Sequence, residues 1–216
     1  MLITCQSNFS WMTCGAENRV RDASEIGAFS LLVTHENVFV LTNNIEAPRI
    51  REEVLPDSSF EIIESDWFAF DPLSQVKKLC PEGTVLSDTH QPGLDNAAED
   101  ISPLRYALDE AEQKTYQDLG KAASSVFAAA AGTVKPGMRE TEIAGILCKH
   151  IRAAGTFPVV VLVGTDQRIH NYRHPIPTEK PLNKHLMMVH CIRLRGLILS
   201  SARRMYFGPL PDHLRR

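Results

Sequence analysis

From Leu104 to Ala130 the apolar residues recur at steps of three and four, and from Pro158 onward that period gives way to apolar, β-branched runs. No single kind of regular element fits both patterns, so the second half of the chain must join helices to a sheet. Ser102-Pro103 supplies the start signals of a long helix carrying Leu104, Leu108, Ala111, Leu119, Ala122, Val126 and Ala130 on one side. Gly132 and the Lys135-Pro136-Gly137 turn end it. A second helix is predicted over about 139–154, with Ile143, Ile146, Leu147 and Ile151 inward and Gly155 as its left-handed stop. Pro158–Gly164 (PVVVLVG) then reads as a buried strand. Leu186–Leu194 and Leu197–Phe207 read as two more, with Arg195-Gly196 as the turn between them. The expected arrangement is two helices packed on a small antiparallel sheet.

The first hundred residues carry a different pattern. Phe29–Thr34 and Val38–Thr42 look like a hairpin around His35-Glu36-Asn37. Phe60–Ile63 and Thr84–Leu86 are further short strands, and Asp71-Pro72 starts a helix with Leu73, Val76 and Leu79 on one face. Strand, helix and strand in that order suggest a βαβ unit. Residues 88–101 are polar and turn-rich, which places a boundary there: an α/β domain over 1–100 and an α+β domain over 101–216.

Composition removes several function classes. The formal net charge of -3 gives no whole-molecule pull toward nucleic acid or anionic membrane. The basic end (Lys184, Arg193, Arg195, Arg203, Arg204, Arg215 and Arg216 against Asp212) lacks interleaved aromatics for base stacking and reads as a solvated strand face. An acidic block over 46–71 holds eight carboxylates against Arg49 and Arg51. The apolar runs, Val159–Val163 among them, are too short to span a bilayer, and MLITCQSNF does not read as a secretory signal. Five widely spaced cysteines without CxxC suggest reduced thiols in a cytoplasmic setting. No GxGxxG, GxxxxGK[ST] or GxSxG occurs.

Two clusters could carry chemistry from residue type alone. His170, His174, His185 and His190, with Cys191, could form a mononuclear zinc site, but only the His170 to His174 spacing matches a tight ligand motif, and that one needs a helix; ordinary loop or strand histidines are the better reading. Asp88 and His90 lie near one another without a placed nucleophile, and Ser200-Ser201 sits in a strand rather than at a strand-to-helix elbow. Ala128–Ala131 reads as close helix packing.

Further residues, taken in order, resemble the pita-bread metallopeptidase superfamily, in its creatinase, Xaa-Pro aminopeptidase and Xaa-Pro dipeptidase (prolidase) branch. Asn8-Phe9-Ser10-Trp11 with Gly15 is similar to the start of that branch's N-terminal domain. Ser102-Pro103-Leu104-Arg105 and Glu112 resemble its junction helix, and Gly137 with Glu140 or Glu142 before Ile143-Ala144 resembles the turn into its second helix. Gly155, Gly164 and His174-Pro175 fall where that family has two glycines and a substrate-side histidine, and Gly196-Leu197, Arg203 and Gly208 resemble its closing hairpin. The resemblance implies a creatinase-like N-terminal α/β domain, its start shortened, followed by the first half of a pita-bread domain.

That family holds two divalent metal ions, commonly manganese or cobalt, between two aspartates, a histidine and two glutamates, and uses them to activate water and polarise the scissile carbonyl. With Arg203 and Gly208 fixing the register, the aspartate positions fall on Val189 and Ser200. Between Glu179 and Asp212 there is no Asp or Glu at all, so shifting the alignment does not restore a ligand. The resemblance also puts the remaining ligands in a second half that a chain ending at Arg216 does not contain. The expectation is a truncated Xaa-Pro peptidase-like protein, inactive alone and without bound metal, with His174 as its one retained catalytic-site residue. Two alternatives stand: a peptidase acting on proline-containing peptides only when another chain completes it, and a non-catalytic oligomerisation or ligand-binding module. The partners expected are a second copy or an intact homologue, with a small peptide or guanidino compound as ligand.

Overall fold

The computed structural model describes residues 1–56 and 59–215, so Asp57 of the acidic block and Arg216 of the basic end lie outside the described residues. Two compact units are present, Met1–Asp109 and Glu110–Arg216.

In the first unit the elements run β1 (Leu2–Cys5), α1 (Gln6–Met12), β2 (Ile26–Val33), β3 (Val38–Asn43) and α2 (Ala47–Arg49), which continues into a π-helical turn over Ile50–Val54. Next come β4 (Glu61–Ser65), α3 (Pro72–Leu79), β5 (Leu86–Ser87), β6 (Asp95–Asn96) and α4 (Ala98–Ile101), then a 3₁₀ turn over Ser102–Arg105. The sheet order is β4-β3-β2-β1-β5-β6. Neighbouring residues of each central strand divide between its faces. Ile3, Leu31 and Val40 pack with Phe9 and Ile50 on one side, whereas Leu2, Leu32 and Leu41 pack with Val76 on the other. Helices therefore cover both faces.

The expected hairpin is β2 and β3, antiparallel from Ser30↔Leu41 to Val33↔Val38, with Thr34 closing the turn by accepting the Asn37 N–H at 2.9 Å on Oγ1. The strand-helix-strand unit takes a wider form than expected. β4 and β5 are separated by β3, β2 and β1, so α3 crosses three strands before β5 pairs parallel to β1. Residues 88–101, read from sequence as a polar connector, sit inside this unit: Asp88 is 4% exposed and Ala97 and Ile101 are buried.

In the second unit the elements are α5 (Glu110–Thr133), α6 (Glu140–Ala153), β7 (Phe157–Thr165), α7 (Arg168–Asn171), β8 (His185–Leu194) and β9 (Leu197–Tyr206), then a 3₁₀ turn over Asp212–Leu214. The expected start of the long helix at Ser102 is corrected to Glu110. The Ser102 hydroxyl donates to Ala98 O at 2.8 Å, so it closes α4 instead of capping a new helix. β7, β8 and β9 form an antiparallel sheet in that order, and the β8–β9 ladder is unbroken from His185↔Tyr206 to Leu194↔Leu197. Its turn is Arg195-Gly196, with φ of 49° and 77°. Both residues are left-handed, as a two-residue hairpin loop of the right twist requires. α5 and α6 cover one face of this sheet through Leu119, Val126, Ile143, Leu147, Ile151, Leu186, Met188 and Ile192.

Candidate functional site

Alternation along β8 and β9 divides the sheet of the second unit into a helix side and an open side. Leu186, Met188 and Ile192 of β8 and Leu197, Leu199 and Met205 of β9 belong to the cluster under α5 and α6. The intervening residues, Val189 and Cys191 on β8 and Ser200 and Ala202 on β9, therefore point away from the helices. Val189 pairs with Ala202 and Cys191 with Ser200, which makes Val189 and Ser200 diagonal neighbours on that open side. The Cys191 Sγ donates to Ser200 Oγ at 3.2 Å.

Two carboxylates organise the rim where β7 leaves the sheet. Glu140, the first residue of α6, is fully buried. Its Oε1 accepts the Thr165 N–H and hydroxyl at 2.9 Å each and Arg168 Nε at 3.0 Å. Its Oε2 accepts the Thr178 N–H at 2.9 Å and the Thr178 hydroxyl at 2.6 Å. Burial alone would raise the pKa of this carboxyl; the bonds from Thr178 and Thr165 outweigh it and hold the group below its ordinary range. Asp166 follows at φ 48° and accepts three successive backbone N–H groups, Asn183 and Lys184 at 2.9 Å and His185 at 3.0 Å. It too is lowered, with the His185, Lys184 and Asn183 bonds overcoming desolvation. Each carboxylate is thus consumed by protein donors as a structural clamp, and neither is left to serve a ligand.

His174 is exposed in the loop after α7. The next residue, Pro175, seats that loop on β7. The Val163 N–H donates to Pro175 O at 3.2 Å, and a Cβ on Gly164 would lie 2.8 Å from Pro175 Cγ. That close approach is the reason for a glycine at 164. Gly164 pairs with Met187, two residues before Val189 on β8, so the His174 loop rests on the strand next to the positions of interest.

The histidine cluster considered from sequence divides. His185 lies 5.7 Å from Tyr206 and 6.1 Å from His170, measured between ring centroids. His190 points to the helix side of the sheet and stacks on Phe127 at 4.2 Å, while Cys191 points to the open side. Among the described residues no three His, Cys, Asp or Glu side chains come together in a way that could hold a metal ion. Asp88 and His90 fall in the first unit, whereas Ser200-Ser201 falls in the second. The Asp88 oxygens are occupied by Thr4, Cys5 and Asn8.

This architecture matches solved structures along almost its whole length. An X-Pro aminopeptidase from Thermotoga maritima superposes with a TM-score of 0.78 over 99% of this chain and 64% of its own, at 13% identity. The chain shares the fold of the Xaa-Pro peptidases. Prolidase from Pyrococcus furiosus gives 0.75 over 99% and 64% at 14% identity, and an Xaa-Pro dipeptidase from Bacillus anthracis 0.73 over 99% and 62% at 16%. The chain therefore spans less than two thirds of the length of these proteins. No family model and no curated protein sequence matches it. Among the described residues no helix is long and apolar enough to cross a membrane.

The residues present do not fit the dinuclear metal centre that the resemblance implies. The positions to which the resemblance assigns its aspartates, Val189 and Ser200, carry an isopropyl group and a hydroxyl, and neither β8 nor β9 contains an Asp or Glu that could substitute. Val189 and Ser200, singled out from the resemblance, lie on one face of the hairpin. Sequence reasoning missed the clamps at Glu140 and Asp166; the signal available for the second was an acidic residue just after a buried strand, where a turn needs a left-handed residue that Asp tolerates.

Proposed function

We propose that this chain uses the Xaa-Pro peptidase fold for a role other than metal-dependent peptide hydrolysis. The observation that carries the reading is the open side of the β8–β9 hairpin, where Val189 and Ser200 stand diagonally opposite and no carboxylate is offered. Water is a poor nucleophile at neutral pH, and activating it for amide hydrolysis by this family's route needs cations held by hard oxygen ligands. In the same reading the exposed His174 is a retained ligand contact for a small peptide or guanidino compound, and the five free cysteines support a cytoplasmic setting. Association with a second copy or an intact homologue belongs to it as well. Val160 is 37% exposed and Ile198 42%, which leaves apolar surface on this sheet.

The test is a hydrolysis assay on purified chain supplied with manganese or cobalt and a proline-containing dipeptide. The expected result is no product above the blank. Turnover that follows the protein through purification and disappears with chelator would overturn the proposal.

A further inference from the structure

His190 lies in the middle of β8 with its side chain turned beneath α5, and it is 0% exposed. Its ring stacks almost parallel on Phe127, with an interplanar angle of 17°. Neither Nδ1 nor Nε2 has a protein hydrogen-bond partner, and Ser201 Oγ, directly across the ladder, has none either. A neutral imidazole survives such a site at the cost of its unmade hydrogen bonds, but an imidazolium there has no counter-charge. The groups that face it come from every packed element. β7 presents Val161, α5 presents Phe127, and β9 presents Ser201 and Arg203. The α6 residues in this core are Ile143, Leu147 and Ile151, and the titratable group packed at its margin is the Tyr116 phenol. Arg203 also stands over Phe127, 5.5 Å from the ring centroid, so the nearby formal charge is positive. The carboxylate-free stretch from Lys180 to Pro211 places no acid on either strand of the hairpin.

We propose that His190 is an acid-sensitive latch: uptake of a proton by its ring releases α5 from the sheet and opens the core of the second unit. The device is independent of whether the fold hydrolyses peptides. Burial, reinforced by Arg203, lowers the His190 pKa from 6.5 to about 4. The unfolded chain therefore takes up the proton near 6.5 while the folded chain refuses it until about 4. Stability from this source is complete above 6.5, is lost as the pH falls toward 4, and is level below that. Across the window the folding equilibrium constant falls on the order of 10²-fold.

The experiment is urea unfolding of the full chain at pH 7 and pH 4.5, with the wild type beside His190→Phe, which keeps the stack on Phe127 and removes the titrating nitrogens. Glu140 and Asp166 remain in both proteins, so their acid sensitivity cancels. The wild type is expected to lose at least tenfold more of its folding constant between the two pH values than the variant, and parallel profiles would overturn the latch. Should the variant fail to fold, NMR titration of the wild-type histidine rings decides. A His190 ring that stays neutral to about pH 4, with α5 amide exchange accelerating as it protonates, sustains the proposal; a ring titrating near 6.5 in the folded chain overturns it.

Discussion

Glu140→Gln is expected to lower the stability of the second unit by about 3 kcal/mol, because the amide presents an N–H₂ where the carboxylate accepted bonds. The native side chain takes five hydrogen bonds, one of them from Arg168 Nε, in a site with no exposed surface. Glutamine has the same length and shape, so packing is preserved and the lost acceptor is what unfolding by urea reads. The loss should be largest near neutral pH. A carboxyl held below its ordinary value of 4.5 contributes fully above that value, and its contribution fades as the pH falls through the lower, folded value. The wild type and the variant should therefore converge in strong acid. Equal stability at pH 7 would show that water or a rearranged loop replaces the carboxylate. The window is distinct from that of His190, which acts above pH 4.

Asp88→Ala should be comparably severe in the first unit, about 3 kcal/mol, which is a large part of the 5–15 kcal/mol that stabilises a typical domain. One carboxylate oxygen accepts the Thr4 N–H at 2.8 Å and the Thr4 hydroxyl at 3.0 Å; the other accepts the Cys5 N–H and Asn8 Nδ2, both at 3.0 Å. These bonds terminate β1, a strand that pairs with both β2 and β5 in the interior of the sheet. They also orient Asn8, whose Oδ1 accepts Arg105 Nη1 at 2.8 Å. Alanine leaves two backbone N–H groups and an amide unpaired among buried neighbours. Asp88→Asn should lose less, since one oxygen remains. Thermal melting of the two variants reads the difference, and an Ala variant that melts with the wild type would remove Asp88 from any structural role.

What the sequence disclosed follows the range of the interactions involved. The β8–β9 hairpin was legible because its strands and its Arg195-Gly196 turn are specified by neighbouring residues, and the α6 span because the Ile143, Leu147 and Ile151 stripe repeats at helical period. β1 was not read as a strand. Leu2–Cys5 is four residues long with only three apolar side chains, and its place inside the sheet depends on partners 30 and 85 residues away. The same holds for Asp88, whose polar surroundings in sequence look like a solvated connector although its acceptors serve β1. The start of α5 was misplaced for a related reason. Ser102-Pro103 has the local chemistry of a helix start, and only the bond back to Ala98 shows that it ends one helix instead. At the candidate site, Val189 and Ser200 were singled out through the family resemblance, with Arg203 and Gly208 setting the register, and only the β8–β9 pairing shows that they share the open side of the hairpin. His190 illustrates the limit. Its inward direction follows from alternation, but that its ring nitrogens would lack hydrogen-bond partners follows only from what α5 and β9 bring to it.

The most direct measurement of the central claim is the metal content of the chain after equilibrium dialysis against micromolar manganese, cobalt or zinc, read by elemental analysis. With no Asp or Glu on β8 or β9, and with Val189 and Ser200 at the positions the resemblance assigns to metal-binding aspartates, the chain is expected to retain well under one ion. Two ions per chain, removed together by chelator, would contradict it.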